Sequence, residues 1–452
     1  MRARAILLIA VGAVALASPA WAQQPSTPIT PPANPVLSNV NGVPIGPFGG
    51  LEGGAYVARV DDPSASWFNP AGLSRATSSQ ISGNAGLYQF TSVVPTVLPD
   101  KGGGLQQLPN LVGYVAGTSA GCTFGFAFLT TNSWQQETNS QLITGTAASG
   151  ERFGYSADAE FSRRYFTVSS GCRRGRWRLG GGLAFALTSL SLIDTASDRV
   201  SSSSGLSTAL ISSRRSGSAF QLRPVLGAQF DPAPAWKVGV VVRTPGWTLH
   251  RSGVYAADGT INVGTATQGV SFFDADARFT DRLPWEIQGG VGYIAKRAQV
   301  EVDVQAFSGG SAYAVLASDQ PIVIYSANGP TTPVITTQTF AGAMSSPRAI
   351  ANVTIGGHYQ ILEHHSYLLH GGFTTDQSPV KPEDQIFDQV NLLGWTVGMS
   401  GQVAKLRFSA GVNIRRGHAD DVVVRNLLTG ELVTTTVKVR TTAFIYSVAY
   451  EF

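Results

Sequence analysis

Arg223 and Arg243 are the residues of this chain best placed to grip an anion. They lie ten residues to either side of Ala233, which sits in a turn between two strands. Phe220, Leu222, Leu226 and Phe230 alternate with Gln221, Arg223 and Gln229, which places Arg223 on a polar face with Arg243 opposite it. Like charges directly across a ladder repel unless an anion sits between them. A ligand carboxylate held by the guanidinium forks would serve. So would Asp61 or Asp62, and a wet polar lumen would also accommodate both arginines.

Other reactive types point to less. Gly117-Thr118-Ser119-Ala120-Gly121 matches the string of a nucleophile elbow, but that motif needs a strand-to-helix turn, and here it falls between two strands. His358, His364, His365 and His370 cluster across an expected turn, with Glu363 the sole carboxylate beside them, so rim histidines are expected rather than a metal centre. No phosphate-cradling, dinucleotide or zinc pattern is present, and neither cofactor nor metal is expected. Cys122 opens one strand and Cys172 ends the next. The hairpin returns the second to the level of the first, and in an oxidising compartment a disulfide is the expected state.

The elements that must hold these residues are strands. Phe444, Tyr446, Val448, Tyr450 and Phe452 alternate with Ile445, Ser447, Ala449 and Glu451 to the end of the chain, as in the closing strand of an outer-membrane barrel with its aromatic girdle. Val300, Val302 and Val304 oppose Glu301, Asp303 and Gln305; Leu406, Phe408, Ala410, Val412 and Ile414 oppose Arg407, Ser409, Asn413 and Arg415; Trp236, Val238, Val240 and Val242 oppose Lys237 and Arg243. Short turns at 173–176, 231–234, 296–297 and 362–364 alternate with long Ser/Thr/Gly-rich connections at 135–155, 196–215, 251–270, 310–345 and 417–440. Short periplasmic turns and long outer loops are the asymmetry of a transmembrane barrel. The segments number about 14, an all-β, antiparallel transmembrane β-barrel.

Export agrees with that class. Residues 1–22 carry a basic start (Arg2, Arg4), an apolar run and an Ala20-Trp21-Ala22 cleavage pattern, a signal peptide. No later stretch approaches the ~18–20 apolar residues of a spanning helix. Glycine is abundant, 51 of 452 residues, and charged residues make up 13%, against roughly 25% in soluble domains. The formal charge of +4 loses two with Arg2 and Arg4, leaving +2, which gives nucleic-acid binding no support. Residues 23–47, with seven prolines, are expected to be a Pro-rich periplasmic leader outside any packed element.

Before the first strand lies Asp61-Asp62-Pro63-Ser64-Ala65-Ser66-Trp67-Phe68-Asn69-Pro70-Ala71-Gly72-Leu73. This segment resembles the N-terminal signature of the FadL/TodX family of outer-membrane transport proteins for hydrophobic compounds: an acidic pair, small residues, an aromatic, then Asn-Pro-Ala-Gly-Leu. Arg243-Thr244-Pro245, Leu283-Pro284 and the closing Tyr450-Glu451-Phe452 extend the resemblance over the mature chain. The family implies a 14-stranded barrel with residues 48–76 as an N-terminal hatch, or plug, inside the lumen and 77–452 as the wall. Asp61, Asp62, Phe68, Asn69, Pro70 and Ala71 become hatch residues, with the acidic pair anchored to inward Arg or Lys. Asn69-Pro70-Ala71 is expected to form a rigid turn. Here some 38 residues precede the motif, more than in familiar members, and Gly125 is the candidate bend of the inward-kinked third strand.

The function implied is passive uptake of fatty acids or aromatic hydrocarbons, gated by the hatch, with lateral exit through the wall. Expected partners are those hydrophobic molecules, outer-membrane lipid and lipopolysaccharide, and the barrel-assembly machinery; a monomer integral to the outer membrane is expected. A lipid-modifying enzyme such as a phospholipase or deacylase is the alternative class. It would need a Ser/His pair at the outer rim, whereas Ser119 falls at a short turn without a neighbouring His. A general porin is the third, but it would not spend its N-terminus on a plug.

Overall fold

The computed structural model describes residues 36–452 except 96–101, 118–120, 146–149, 203–204, 329–331, 341, 362–365, 385 and 426–431. The chain lays down β1 (Gln80–Pro95), β2 (Gly102–Ala116), β3 (Cys122–Gly145), β4 (Gly150–Arg174), β5 (Trp177–Ser202), β6 (Gly205–Ala233) and β7 (Trp236–Arg243). Then follow β8 (Trp247–Val263), β9 (Ala266–Asp274), β10 (Arg278–Phe279), β11 (Glu286–Ile294), β12 (Ala298–Phe307), β13 (Tyr313–Ala317) and β14 (Pro321–Asn328). The remainder are β15 (Val334–Thr339), β16 (Ala343–Ser345), β17 (Ile350–Gln360), β18 (Leu368–Asp376), β19 (Asn391–Val403), β20 (Leu406–Arg425) and β21 (Leu432–Glu451).

Fourteen of these close into an antiparallel barrel, in the order β1 to β7, β11, β12, β17 to β21, with β21 returning to β1. The seam joins Gln80 to Glu451, and the Phe452 amide donates to the Ser79 carbonyl. Closure removes both sheet edges, so the strands of the wall satisfy their backbone on one another, save where β2 and β3 diverge. Above β7 the ladder of β6 continues through β8, β9, β14 and β15, and β10, β13 and β16 form a separate small sheet.

The wall is apolar outside and polar inside. Val300, Val302 and Val304 are exposed while Glu301 and Asp303 are buried, and Phe444, Tyr446, Val448 and Tyr450 face out from the closing strand. A continuous outer belt of this kind needs an apolar surround. Short turns at 174–177, 233–236, 294–298 and 403–406 lie at one end, with the β1–β21 seam terminus.

Two expectations change at the other end. The described residues of the segments 135–155, 196–215 and 417–440 form ladders and not loops: β3–β4 pairs out to Gly145↔Gly150, β5–β6 to Ser202↔Gly205 and β20–β21 to Arg425↔Leu432. Ser- and Thr-rich strands need no apolar face to pair in water, and cross-strand hydroxyl contacts such as Ser156 Oγ to Asn139 Oδ1, 2.8 Å, support them. Of the expected leader, residues 23–35 lie outside the described residues, but Val36 to Pro47 is packed inside the barrel and not free in the periplasm. Val36 N donates to Asp388 Oδ2 (3.1 Å) and Asn39 Nδ2 donates to the carbonyls of Asp376 and Val390, both at 2.9 Å. Asp388 lies in the long connection between β18 and β19, so the segment enters at the long-connection end and runs down to the short-turn end.

Candidate functional site

Asn69 and Pro70 set the local path of the plugging segment. Proline biases its predecessor to extended backbone, and Asn69 stands at φ −163°, ψ 107°. Its Oδ1 then accepts from Ala71 N at 3.1 Å and starts the 3-10 turn Pro70–Arg75, which follows one helical turn, Ala65–Phe68. The Asn69 amide nitrogen donates to Val57 O (3.1 Å) within the segment and to Ala228 O (3.0 Å) on the wall. Phe68, Pro70 and Ala71 are buried. The wall admits this backbone because it presents glycine there. A Cβ on Gly180 would stand 2.3 Å from Ala71 N, and one on Gly356 would stand 2.0 Å from Glu52 O.

A buried charge cluster fixes the middle of the segment. Arg59 Nε meets Glu301 Oε2 at 2.8 Å and its Nη2 meets Glu52 Oε2 at 2.5 Å. Glu301 also accepts Ala58 N at 2.7 Å, and Asp303 accepts the amides of Tyr56 (3.1 Å) and Val57 (3.3 Å). The acidic face of β12 is therefore a receptor for the backbone donors and the guanidinium of the plug. Burial opposes the charge on Glu52, but Arg59 and the imidazoles of His358 and His370 hold its carboxyl well below the usual range. Arg75 adds a second anchor at the short-turn end, 2.7 Å from Asp231.

The acidic pair does not play the anchoring part expected of it. Asp61 is exposed and accepts from Tyr56 Oη at 3.0 Å; Asp62 is buried and accepts from Ser64 N at 2.8 Å. Neither forms an ion pair among the described residues; the anchors are arginines of the plug on acids of the wall. Burial and the neighbouring Asp61 push the Asp62 carboxyl up from 3.8 to about 6. The docked segment thus binds a proton in this window that the undocked one lacks, so docking is firmest below pH ~4 and weakens as pH rises through 6. Hydrogen exchange of residues 61–75 should accelerate between pH 4 and 7 beyond the intrinsic rate, and Asp62→Asn should remove that excess.

Arg223 and Arg243 both point inward and are buried, at 2% and 1% exposure. They are not opposite one another. Pro232 cannot donate to the β6–β7 ladder, a register shift falls between Phe230 and Ala233, and Arg243 pairs with Val225. The anion between them is Glu286 of β11, and not Asp61 or Asp62. Arg243 Nη1 bonds Glu286 Oε1, and Arg223 Nη1 lies 3.4 Å from Oε2. Arg223 further donates to the carbonyls of Thr244 and Pro284, each at 2.8 Å, and Arg243 donates to Trp67 O while its guanidinium lies 4.2 Å over the Trp67 ring. Arg243 thus ties the plug to the wall through Trp67, while the contacts of Arg223 stay within the wall. Glu286 follows Leu283-Pro284 at the start of its strand, and only the β7–β11 register Glu286↔Arg243 brings it to the arginines.

Cys122 and Cys172 face each other across β3–β4 at the short-turn end and are bonded, with sulfurs 2.07 Å apart. Ser119, His364, His365 and Glu363 lie outside the described residues. His358 and His370 are directly opposite across β17–β18 and face inward.

Above the plug, at the long-connection end, the lumen turns apolar: Trp134, Phe161, Leu190, Phe279, Phe387 and Val390 belong to one buried cluster that also takes in Val36 and Leu37. No single-strand periodicity reveals this lining, since it is assembled from many strands and connections. Beside it the wall parts. Among the described residues the β2–β3 ladder runs from Ala116↔Phe124 only to Leu111↔Leu129, after which one side-chain bond, Thr130 Oγ1 to Pro109 O at 3.1 Å, still links the lips while β2 pairs with β1 and β3 with β4. Pro109 has no amide to donate, and β3 shifts register between Thr130 and Asn132. The bend of the third strand is thus at Thr130–Asn132, while Gly125, the expected place, stays in the ladder opposite Val115. Both lips touch the plug: Asn110 Nδ2 donates to Pro44 O at 2.9 Å and Asn132 Nδ2 donates to Asn39 O.

A closed antiparallel wall, apolar outside, polar within and filled by the chain's own N-terminal segment, is a plugged β-barrel of the integral membrane type. Its particular form is the fold of FadL homologues and toluene transporters. A Pseudomonas aeruginosa FadL homologue matches with TM-score 0.60 at 13% identity over 93% of this chain and 100% of that one. The P. putida toluene transporter TodX matches with TM-score 0.60, 13% identity, and 91% and 99% coverage; the Ralstonia pickettii toluene transporter TbuX matches with TM-score 0.55, 14% identity, and 91% and 99% coverage. No family model and no curated protein matches the sequence.

Proposed function

We propose that this chain is a passive outer-membrane transport protein for small hydrophobic molecules, with residues 36–76 as hatch and the parting between β2 and β3 as lateral exit. It is a conduit and not an enzyme. The observation that carries the reading is the joint placement of three things: an apolar outer lumen, a plug bonded down the inside of the wall, and a ladder that stops where both lips bond to that plug. A greasy solute entering from the long-connection end finds no polar path downward and an apolar layer at its side. Toluene transport by proteins of the same fold supports an aromatic hydrocarbon as cargo.

The exit is tested by stapling its lips. Asn110 and Thr130 occupy the next register position beyond Leu111↔Leu129, so Asn110→Cys with Thr130→Cys should form a disulfide that locks the strands where they diverge. Uptake of a labelled hydrocarbon should fall in the oxidised double variant and recover on reduction to the level of the single variants, which lack the cross-link. Unchanged uptake with a fully formed cross-link would place the exit elsewhere.

A further inference from the structure

We propose that Glu52 of the plug and His358 and His370 of the wall form a binding site for one divalent transition-metal ion, which latches the hatch to β17 and β18. The inference rests on reading the N-terminal segment as a hatch. The donors come from two parts of the chain that only the closed barrel brings together. His358 and His370 are cross-strand partners on the inner face, and their Nδ1 atoms lie 2.7 and 3.0 Å from the same Glu52 oxygen, Oε1. The three ligand atoms fall within 4.8 Å of one another.

Zinc-type bonds of 2.0–2.2 Å in a tetrahedron set neighbouring donors about 3.3 Å apart. The two imidazole nitrogens therefore need to move about 0.6 and 0.3 Å away from Glu52 Oε1 while their own separation, bounded at 4.8 Å, closes toward the same value, all by side-chain rotation. Two imidazoles and one carboxylate make a set suited to Zn²⁺, Co²⁺, Ni²⁺ or Cu²⁺ over Mg²⁺ or Ca²⁺, with a fourth position left for water. The ligands are already oriented from behind. His370 Nε2 lies 2.8 Å from Ser400 Oγ, the Phe48 ring stacks on His370 at 5.2 Å, and Arg59 holds the other oxygen of Glu52.

Charge favours an added cation. Glu52 and Glu301 are two buried carboxylates that share one guanidinium, that of Arg59. A divalent ion would offset the excess where burial makes uncompensated charge costly. Metal supply would then set how firmly the hatch is held, because the ion bonds to both sides of the interface that must part when the hatch moves.

The test uses the full chain in detergent, stripped with chelator and titrated with Zn²⁺ by calorimetry and with Co²⁺ by visible absorption. One equivalent should bind, with the intense visible bands of four-coordinate Co²⁺. His358→Ala, His370→Ala and the near-isosteric Glu52→Gln should each weaken binding at least tenfold while heat-shifted gel mobility shows a folded barrel. Zn²⁺ should slow proteolytic cleavage within residues 48–60 in the parent and not in Glu52→Gln. Absence of stoichiometric binding would overturn the proposal. So would binding that survives Glu52→Gln combined with His370→Ala, which would assign the ion to other histidines such as His364 and His365. These readouts do not involve uptake, so failure of the metal site and failure of the transport reading are told apart.

Discussion

Deletion of Gly49–Gly72 is expected to leave a folded barrel that no longer transports selectively. The fourteen wall ladders include no residue of this segment, and β1 begins only at Gln80, so closure and heat-modifiable mobility should persist. The lumen would change character. The segment supplies Tyr56, Val57, Val60, Ala65 and Phe68 to the lower apolar cluster and covers Glu301, Asp303 and Gln229 of the inner wall. Without it those polar groups become wet and line an aqueous path. Hydrocarbon uptake should lose its selectivity, and small polar solutes should leak, as liposome swelling or sensitivity to a polar antibiotic would register. A deletion variant that takes up its hydrocarbon at the parent rate without a new leak would show that the segment is no gate.

Arg59→Ala should release the hatch with the barrel intact. The guanidinium is the counterion of both Glu52 and Glu301, all three being buried. Removing one partner from a buried ion cluster costs roughly 3–5 kcal/mol because the remaining charges are left uncompensated. That cost falls on docking, since the wall ladders do not depend on Arg59. Amide exchange across residues 48–72 should rise by orders of magnitude, and protease should cut there, while strand amides keep their protection. Arg59→Leu combined with Glu301→Leu removes a charge from each side and should recover part of the docking that either substitution loses alone. Equal hatch protection in Arg59→Ala and the parent would mean that the cluster does not hold the segment.

What the sequence by itself determined is facing. Period-two alternation put Val300, Val302 and Val304 outside and Glu301 and Asp303 inside, because a strand turns successive side chains to opposite sides whatever lies there. It also placed Asn69-Pro70 at a turn, since proline restricts both its own φ and its predecessor. Partners were another matter. Glu301 meets Arg59 across 242 positions of sequence, and His358 meets Glu52 across 306. Arg223 and Arg243 read as a facing pair until the register shift beside Pro232 and the arrival of β11 gave them Glu286. The Pro-rich run reads as exposed, yet from Val36 onward it finds acceptors in Asp376, Asp388 and Val390 at the far end of the barrel. Local sterics act within a few residues and so are written in the local sequence. Which side chains meet across the lumen is set by ladder register and by closure of the wall, and those exist only once all fourteen strands have joined.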